Sequence, residues 1–318
     1  MNYDHATARW NFVSSLLGGI LWAILLAIPR EPTVATGTIE QLFLLGPLVI
    51  VPLGLGLAGR FSMDSNNLFL VRVAARIQPF SAGLAVVSFL YYPGKLSAIL
   101  ILPWLGTCAL IGLTGLILIT RLSLKEIPNL IHIAGFLFLP VGGVWLFLSR
   151  SGANPMNFGE PIILLTAVHF HFTGFATSMI TAAMGKRIGQ FGPITNKVLQ
   201  VASLGVIVGT PLIAAGFVFS MLLKVAAVFI LSVSLCILAI ISLKVASSLG
   251  RSLAKAFLYL SSLSIISGMV LASVYVIGEY LGEWFIGIPQ MANTHGILNS
   301  LGFSLCGLIG WTLIHRKP

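Results

Sequence analysis

Ten apolar stretches of about 20 residues follow one another along this chain, each long enough to cross the ~30 Å hydrocarbon core of a bilayer as a helix. They lie near 10–29, 41–59, 77–93, 96–120, 127–149, 161–184, 198–219, 222–243, 257–280 and 290–314. Backbone groups inside lipid must satisfy one another, which an uninterrupted apolar run does by coiling into a helix. The pattern predicts an all-α fold, a polytopic transmembrane helical bundle of about ten spans. Only 8% of the 318 residues are charged and 57% are hydrophobic, whereas roughly a quarter are charged in soluble domains. A soluble enzyme on a membrane anchor is excluded, and residues 1–318 are expected to form a single membrane domain.

The formal net charge of +10 raises the question of a nucleic-acid partner. In a polytopic protein, however, basic residues first reflect their retention on the cytoplasmic side. Of the 18 Lys and Arg, only Arg30, Lys95, Arg150 and Lys224 fall opposite the N-terminus, which leaves 14 on its own side. Both termini are therefore expected in the cytoplasm. The acids lean the other way, with Glu31, Glu40, Glu160, Glu279 and Glu283 outside and Asp4, Asp64 and Glu126 inside. The lipid bilayer is the expected partner, and the charge requires no nucleic acid. Arg9 before the first span could suggest a signal peptide, but the span's length and its Pro29-Arg30-Glu31 exit fit a retained helix. Cys108, Cys236 and Cys306 lie in three different spans without metal-ligand spacing and read as buried apolar packing.

Five spans precede the loop at 151–160 and five follow it, so any repeat of the halves 1–150 and 151–318 would be inverted, as in many transporters. A weak echo exists: Ile127-Pro128 is followed by His132, and Ile288-Pro289 by His295. Two unrelated helices, each opened by a first-turn proline, explain it as well. The Gly46-Pro47 pair with Gly54, Gly56 and Gly59 suits close helix packing or a local break.

Polar residues within the spans are costly and carry most of the functional information. The sixth span contains Thr166-Ala167-Val168-His169-Phe170-His171-Phe172-Thr173-Gly174-Phe175. In a regular helix starting at Pro161 the two histidines lie about 12 and 15 Å deep and point to nearly opposite faces. His169 then shares its face with Thr166, Thr173 and Thr177, and His171 shares its own with Gly174, Ser178 and Glu160. The tenth span places His295 and Asn299 one turn apart, and the ninth ends with Tyr275, Glu279 and Glu283 at successive four-residue intervals. All these groups are expected in the outer half of the bilayer, as parts of one site. Packing histidines and a solvated helix end for Glu279 and Glu283 are the competing readings.

The segments Ala167–Phe175 and Thr294–Phe303 resemble the YndJ-like family of bacterial membrane proteins. The chain stops just after the second segment, whereas some members of the family continue further. The resemblance implies a multi-pass protein of the bacterial inner (cytoplasmic) membrane, with His169, His171, His295 and Asn299 as family-motif positions. The family is sometimes labelled a transporter, so the resemblance speaks to membership more than to activity.

Three functions fit the polar residues. In the first, an intramembrane enzyme performs acid–base isomerisation or cyclisation on a lipophilic isoprenoid- or polyketide-like substrate. His169, His171, His295, Asn299 and Glu279 are its candidate catalytic residues, because histidine exchanges protons near neutral pH and an amide can orient a substrate oxygen. The second is a ten-span proton-coupled transporter, in which a sixth-span histidine and Glu279 carry protons. The third is a haem or metal redox protein, which lacks a helical ligand pair. No cofactor and no bound metal are expected, and the oligomeric state is not legible.

Overall fold

A computed structural model of the protein describes residues 5–27, 37–59, 68–283 and 285–315, and within them ten helices are long and apolar enough to span a membrane. They are α1 (His5–Ala27), α2 (Thr38–Ala58), α3 (Leu68–Ser88), α4 (Lys95–Arg121) and α5 (Ile127–Ser151). There follow α6 (Ile162–Gly185), α7 (Pro193–Phe219), α8 (Met221–Ser248), α9 (Leu253–Leu281) and α10 (Ile288–His315). No strand occurs among the described residues, so the fold is the all-α polytopic one expected. Asp4, Pro29, Arg30, Glu31, Arg60, Asp64, Arg316 and Lys317 lie outside the described residues.

The largest boundary change is in the third span, which starts at Leu68 rather than near 77 and ends at Ser88 rather than near 93, so Arg72 and Arg76 occupy its early turns instead of a loop. Hydropathy falls at a charge, but backbone hydrogen bonding continues through it, and arginine's long stem carries the charge toward the interface. Other boundaries follow local chemistry. The Ser220 hydroxyl accepts the Leu223 N–H at 3.1 Å and starts α8 one residue after α7 ends. Ser252 does the same for α9 by accepting the Lys255 N–H at 3.3 Å. Gly282, at φ 75°, closes α9 while the Glu283 N–H reaches back to the Gly278 carbonyl at 2.8 Å.

Three helices contain wider π turns, at Gly46–Ile50 in α2, Phe170–Ala176 in α6, and Ala292–Gly296 and Leu298–Leu305 in α10. Such turns release carbonyls from the regular ladder and are frequent at functional positions. In α2 the wide turn runs from the Gly46 carbonyl to the Val51 N–H, and Pro52, just after it, has no N–H to offer the Leu48 carbonyl. Gln78 of α3 donates its amide to the nearby Pro47 carbonyl at 2.6 Å.

By compactness the chain divides into two units, Met1–Ser123 with Ile133–Ala176, and Leu124–His132 with Thr177–Pro318. The boundaries fall inside α5 and α6. In the first unit α4 packs on α5, with Gly112 against Pro140 and Gly143 against Cys108, around the fully buried Trp104, Phe43, Phe136 and Phe175. Trp10, Leu16, Leu17, Ile20 and Ile24 of α1 are exposed apolar side chains, as a lipid-facing helix requires. In the second unit α7, α8 and α9 pack in sequence, and α9 lies along α10, where the Ser261 hydroxyl donates to the Phe303 carbonyl at 2.9 Å. Cys108 and Cys306 are buried, while Cys236 is only half-buried.

Candidate functional site

Helix α6 is regular up to His169 and widens from Phe170, and the two histidines meet different surroundings. His171 has no exposed surface. Its Nδ1 lies 2.8 Å from the Ala167 carbonyl, and its Nε2 lies 3.2 Å from the Trp104 indole nitrogen. A carbonyl can only accept and an indole N–H can only donate, so this pair selects the neutral tautomer with its proton on Nδ1. Phe43 meets the ring edge-on at 5.1 Å, and Trp104 lies nearly parallel to it at 5.9 Å. Two small residues complete the socket, Gly46 of α2 and Gly142 of α5.

A Cβ at Gly142 would stand 2.6 Å from His171 Nδ1 and 3.1 Å from the Phe170 Cβ. Gly142→Ala is therefore expected to destabilise the protein by about 1–3 kcal/mol through overpacking. Gly83→Ala is the control, because a Cβ there meets nothing within 4 Å. Equal melting midpoints for the two variants in detergent would show that the socket is not tight.

His169 is half-buried, and its ring meets the edge of Phe170 at 5.4 Å. Thr166 and Thr173 are half-buried as well, and the Thr166 hydroxyl is held by the Ile162 carbonyl at 2.8 Å. Thr177, expected on the same face, is instead buried. The π turn adds residues per revolution, so everything after Phe170 is rotated from its place in a regular helix. Glu160, the acid expected further along the His171 face, has a local partner at the start of the helix. Its carboxylate accepts the Leu164 N–H at 3.2 Å and caps the start of α6.

In the second unit His295 clamps α10 to α9. Its Nδ1 lies 2.8 Å from the Gly268 carbonyl, and the Asn299 amide nitrogen lies 2.8 Å from its Nε2. This is the same tautomer as at His171, fixed in the same way. The Asn299 side-chain oxygen rests against Gly268, so the amide holds the histidine rather than facing open space.

Glu279 is not a solvated helix end. The Lys224 ammonium of α8 reaches it at 2.6 Å, with the two side chains 7% and 21% exposed. The same ammonium sits 3.8 Å over the Phe217 ring, which favours a cation. Gly216 leaves room for the Lys224 backbone to come close. Gly268 and Glu279 are eleven residues apart on α9, about 16 Å along the axis. His295 with Asn299 and Glu279 with Lys224 are thus two separate polar centres of this unit. Glu283 is exposed.

His169 and His171 belong to the first unit, and His295, Asn299 and Glu279 to the second. Among the described residues no three His, Cys, Asp or Glu side chains gather as metal ligands. Both ring nitrogens of His171 and of His295 are engaged, so a metal would have to displace a hydrogen bond at either. Two partners escaped the sequence reading. Trp104 carries no signal, being one aromatic in an apolar span. Lys224 had one, a charge inside an apolar run, but it counted only toward topology.

Residues 41–303 match the family described as YndJ-like protein. The chain is also 28% identical over 280 residues to the "Uncharacterized membrane protein YndJ" of Bacillus subtilis (strain 168), covering 88% of this chain and 49% of that protein. It therefore spans about half the length of this relative. No solved structure matches. The matched region includes both histidine segments, and with ten helices able to span a bilayer this multi-pass bacterial membrane protein belongs to the YndJ-like family.

Proposed function

We propose that the chain is an intramembrane enzyme that performs histidine-dependent acid–base chemistry on a lipophilic substrate, an isomerisation or cyclisation, with His169 as the proton-transfer group. The observation carrying this reading is the contrast within α6. His171 is sealed between Trp104, Phe43 and the Ala167 carbonyl, whereas His169, two residues away, is half-buried, as are Thr166 and Thr173. A sealed, tautomer-fixed histidine is suited to shaping a wall, and a reachable one to exchanging a proton. His295 is held by Gly268 and Asn299 and would act only once Asn299 turned away, which gives these two residues a supporting role. Lipid extracts of a deletion strain provide the test: a lipophilic precursor should accumulate and its rearranged product disappear.

The second reading, proton-coupled transport, is favoured by the Lys224–Glu279 pair, because ionisable groups within spans commonly mark ion or proton pathways. An unchanged compound trapped on one side of the membrane would support transport over catalysis. In both readings the termini are proposed to be cytoplasmic. Reporter fusions at each end should report the inner side, and an external C-terminus would reverse the orientation of every helix.

A further inference from the structure

Arg187 follows the end of α6 and is half-buried, with its Nε wholly buried and no hydrogen-bond acceptor for it among the described residues. The Nε atoms of Arg72 and Arg150 are buried without an acceptor as well, but the Arg150 guanidinium is compensated at its outer nitrogen. Its Nη2 donates to the Ser88 carbonyl at 3.0 Å and the Tyr91 carbonyl at 2.6 Å, and its plane lies 4.5 Å from the Phe89 ring. A guanidinium stays charged at any physiological pH, and the outer nitrogens of Arg187, without such carbonyl partners, are open to an anion.

The surroundings of Arg187 are cationic. Gly185, at the end of α6, packs against Pro128 at the start of α5, which brings Lys125 to the same end of the second unit. Lys244, near the end of α8, donates to the Thr195 hydroxyl at the start of α7 at 3.2 Å, and only four residues separate the end of α8 from the start of α9. Lys125, Lys186, Arg187, Lys197, Lys244, Arg251 and Lys255 thus share one end of this unit. Glu126 is the acid described there, and its carboxylate accepts from the Asn129 amide at 3.1 Å.

The 24 residues of α6 suffice to cross a hydrocarbon core of ~30 Å, which would bring Lys186 and Arg187, just beyond its end, to the interfacial layer. Ile194 and Leu253 flank them as exposed apolar side chains, suited to acyl chains beside a headgroup. We infer that Arg187, with Lys186 and Lys125, binds the phosphate of an anionic phospholipid at this end of the second unit.

The full-length protein in phosphatidylcholine nanodiscs, with and without phosphatidylglycerol, tests this by melting midpoint and by lipid retained in native mass spectrometry. Phosphatidylglycerol should raise the midpoint of the parent and remain bound. Arg187→Gln should weaken retention about five-fold, the share of one basic contact at a charged surface. Arg251→Gln, at the same end, should change it little. Equal midpoints of the parent in the two lipids would overturn the proposal, even if Arg187→Gln fails to fold. Equal losses in Arg187→Gln and Arg251→Gln would also overturn it, because they would mean diffuse attraction without a site. Millimolar inorganic phosphate in phosphatidylcholine discs separates the two sources of phosphate: if it reproduces the whole shift, the lipid assignment fails.

Discussion

A His169→Gln protein is expected to fold and insert like its parent yet to turn over its lipophilic substrate about 10²–10⁴-fold more slowly, the usual contribution of a positioned acid or base. Glutamine keeps a similar volume and can donate and accept hydrogen bonds, but it does not exchange a proton near neutral pH. The half-buried setting of His169 should accommodate it without a cavity. His171→Gln should behave in the opposite way. One amide cannot reproduce both the Ala167 and the Trp104 hydrogen bonds of that sealed ring, so the melting midpoint should fall while activity per folded molecule changes little. Product formation at matched levels of folded protein is the measurement. Parental activity in His169→Gln would remove that residue from the reaction and leave the transport reading ahead.

The largest loss of stability is expected for Lys224→Met. Methionine keeps most of the stem's apolar contact but strands the Glu279 carboxylate, whose second oxygen is already buried without a partner. Removing one member of a buried ion pair costs about 3–5 kcal/mol. The 21% exposure of Glu279 places this case at the lower end of that range. Lys224→Met combined with Glu279→Gln should recover much of the loss, since no uncompensated charge remains. Thermal unfolding in one detergent compares the three proteins. If Lys224→Met is as stable as the double variant, the pair is not coupled in the way its geometry implies.

These expectations rest on different levels of information. The ten spans were legible because insertion into lipid is decided segment by segment, from the apolar length of each. His169, His171, His295, Asn299 and Glu279 stood out for the related reason that polar groups are rare at such depths. The start of α3 was misplaced because Arg72 and Arg76 lower hydropathy without interrupting a helix.

The state of each polar group was not legible. Thr177, expected on the His169 face, is buried, and the π turn at Phe170–Ala176 lies between the two positions in the chain. Nothing in the spacing of the sixth span marks that turn. His171 is sealed by Trp104, 67 residues away, and Glu279 is paired with Lys224, 55 residues away. Composition and spacing alone determined that this chain is a bundle of membrane helices with histidines in its sixth and tenth spans. Only the tertiary structure decided which histidine is closed and which is reachable, and which carboxylate holds a lysine. Apolar length acts locally along the chain, whereas hydrogen-bond partners and charge pairing in lipid are chosen between helices, by contacts that sequence distance does not encode.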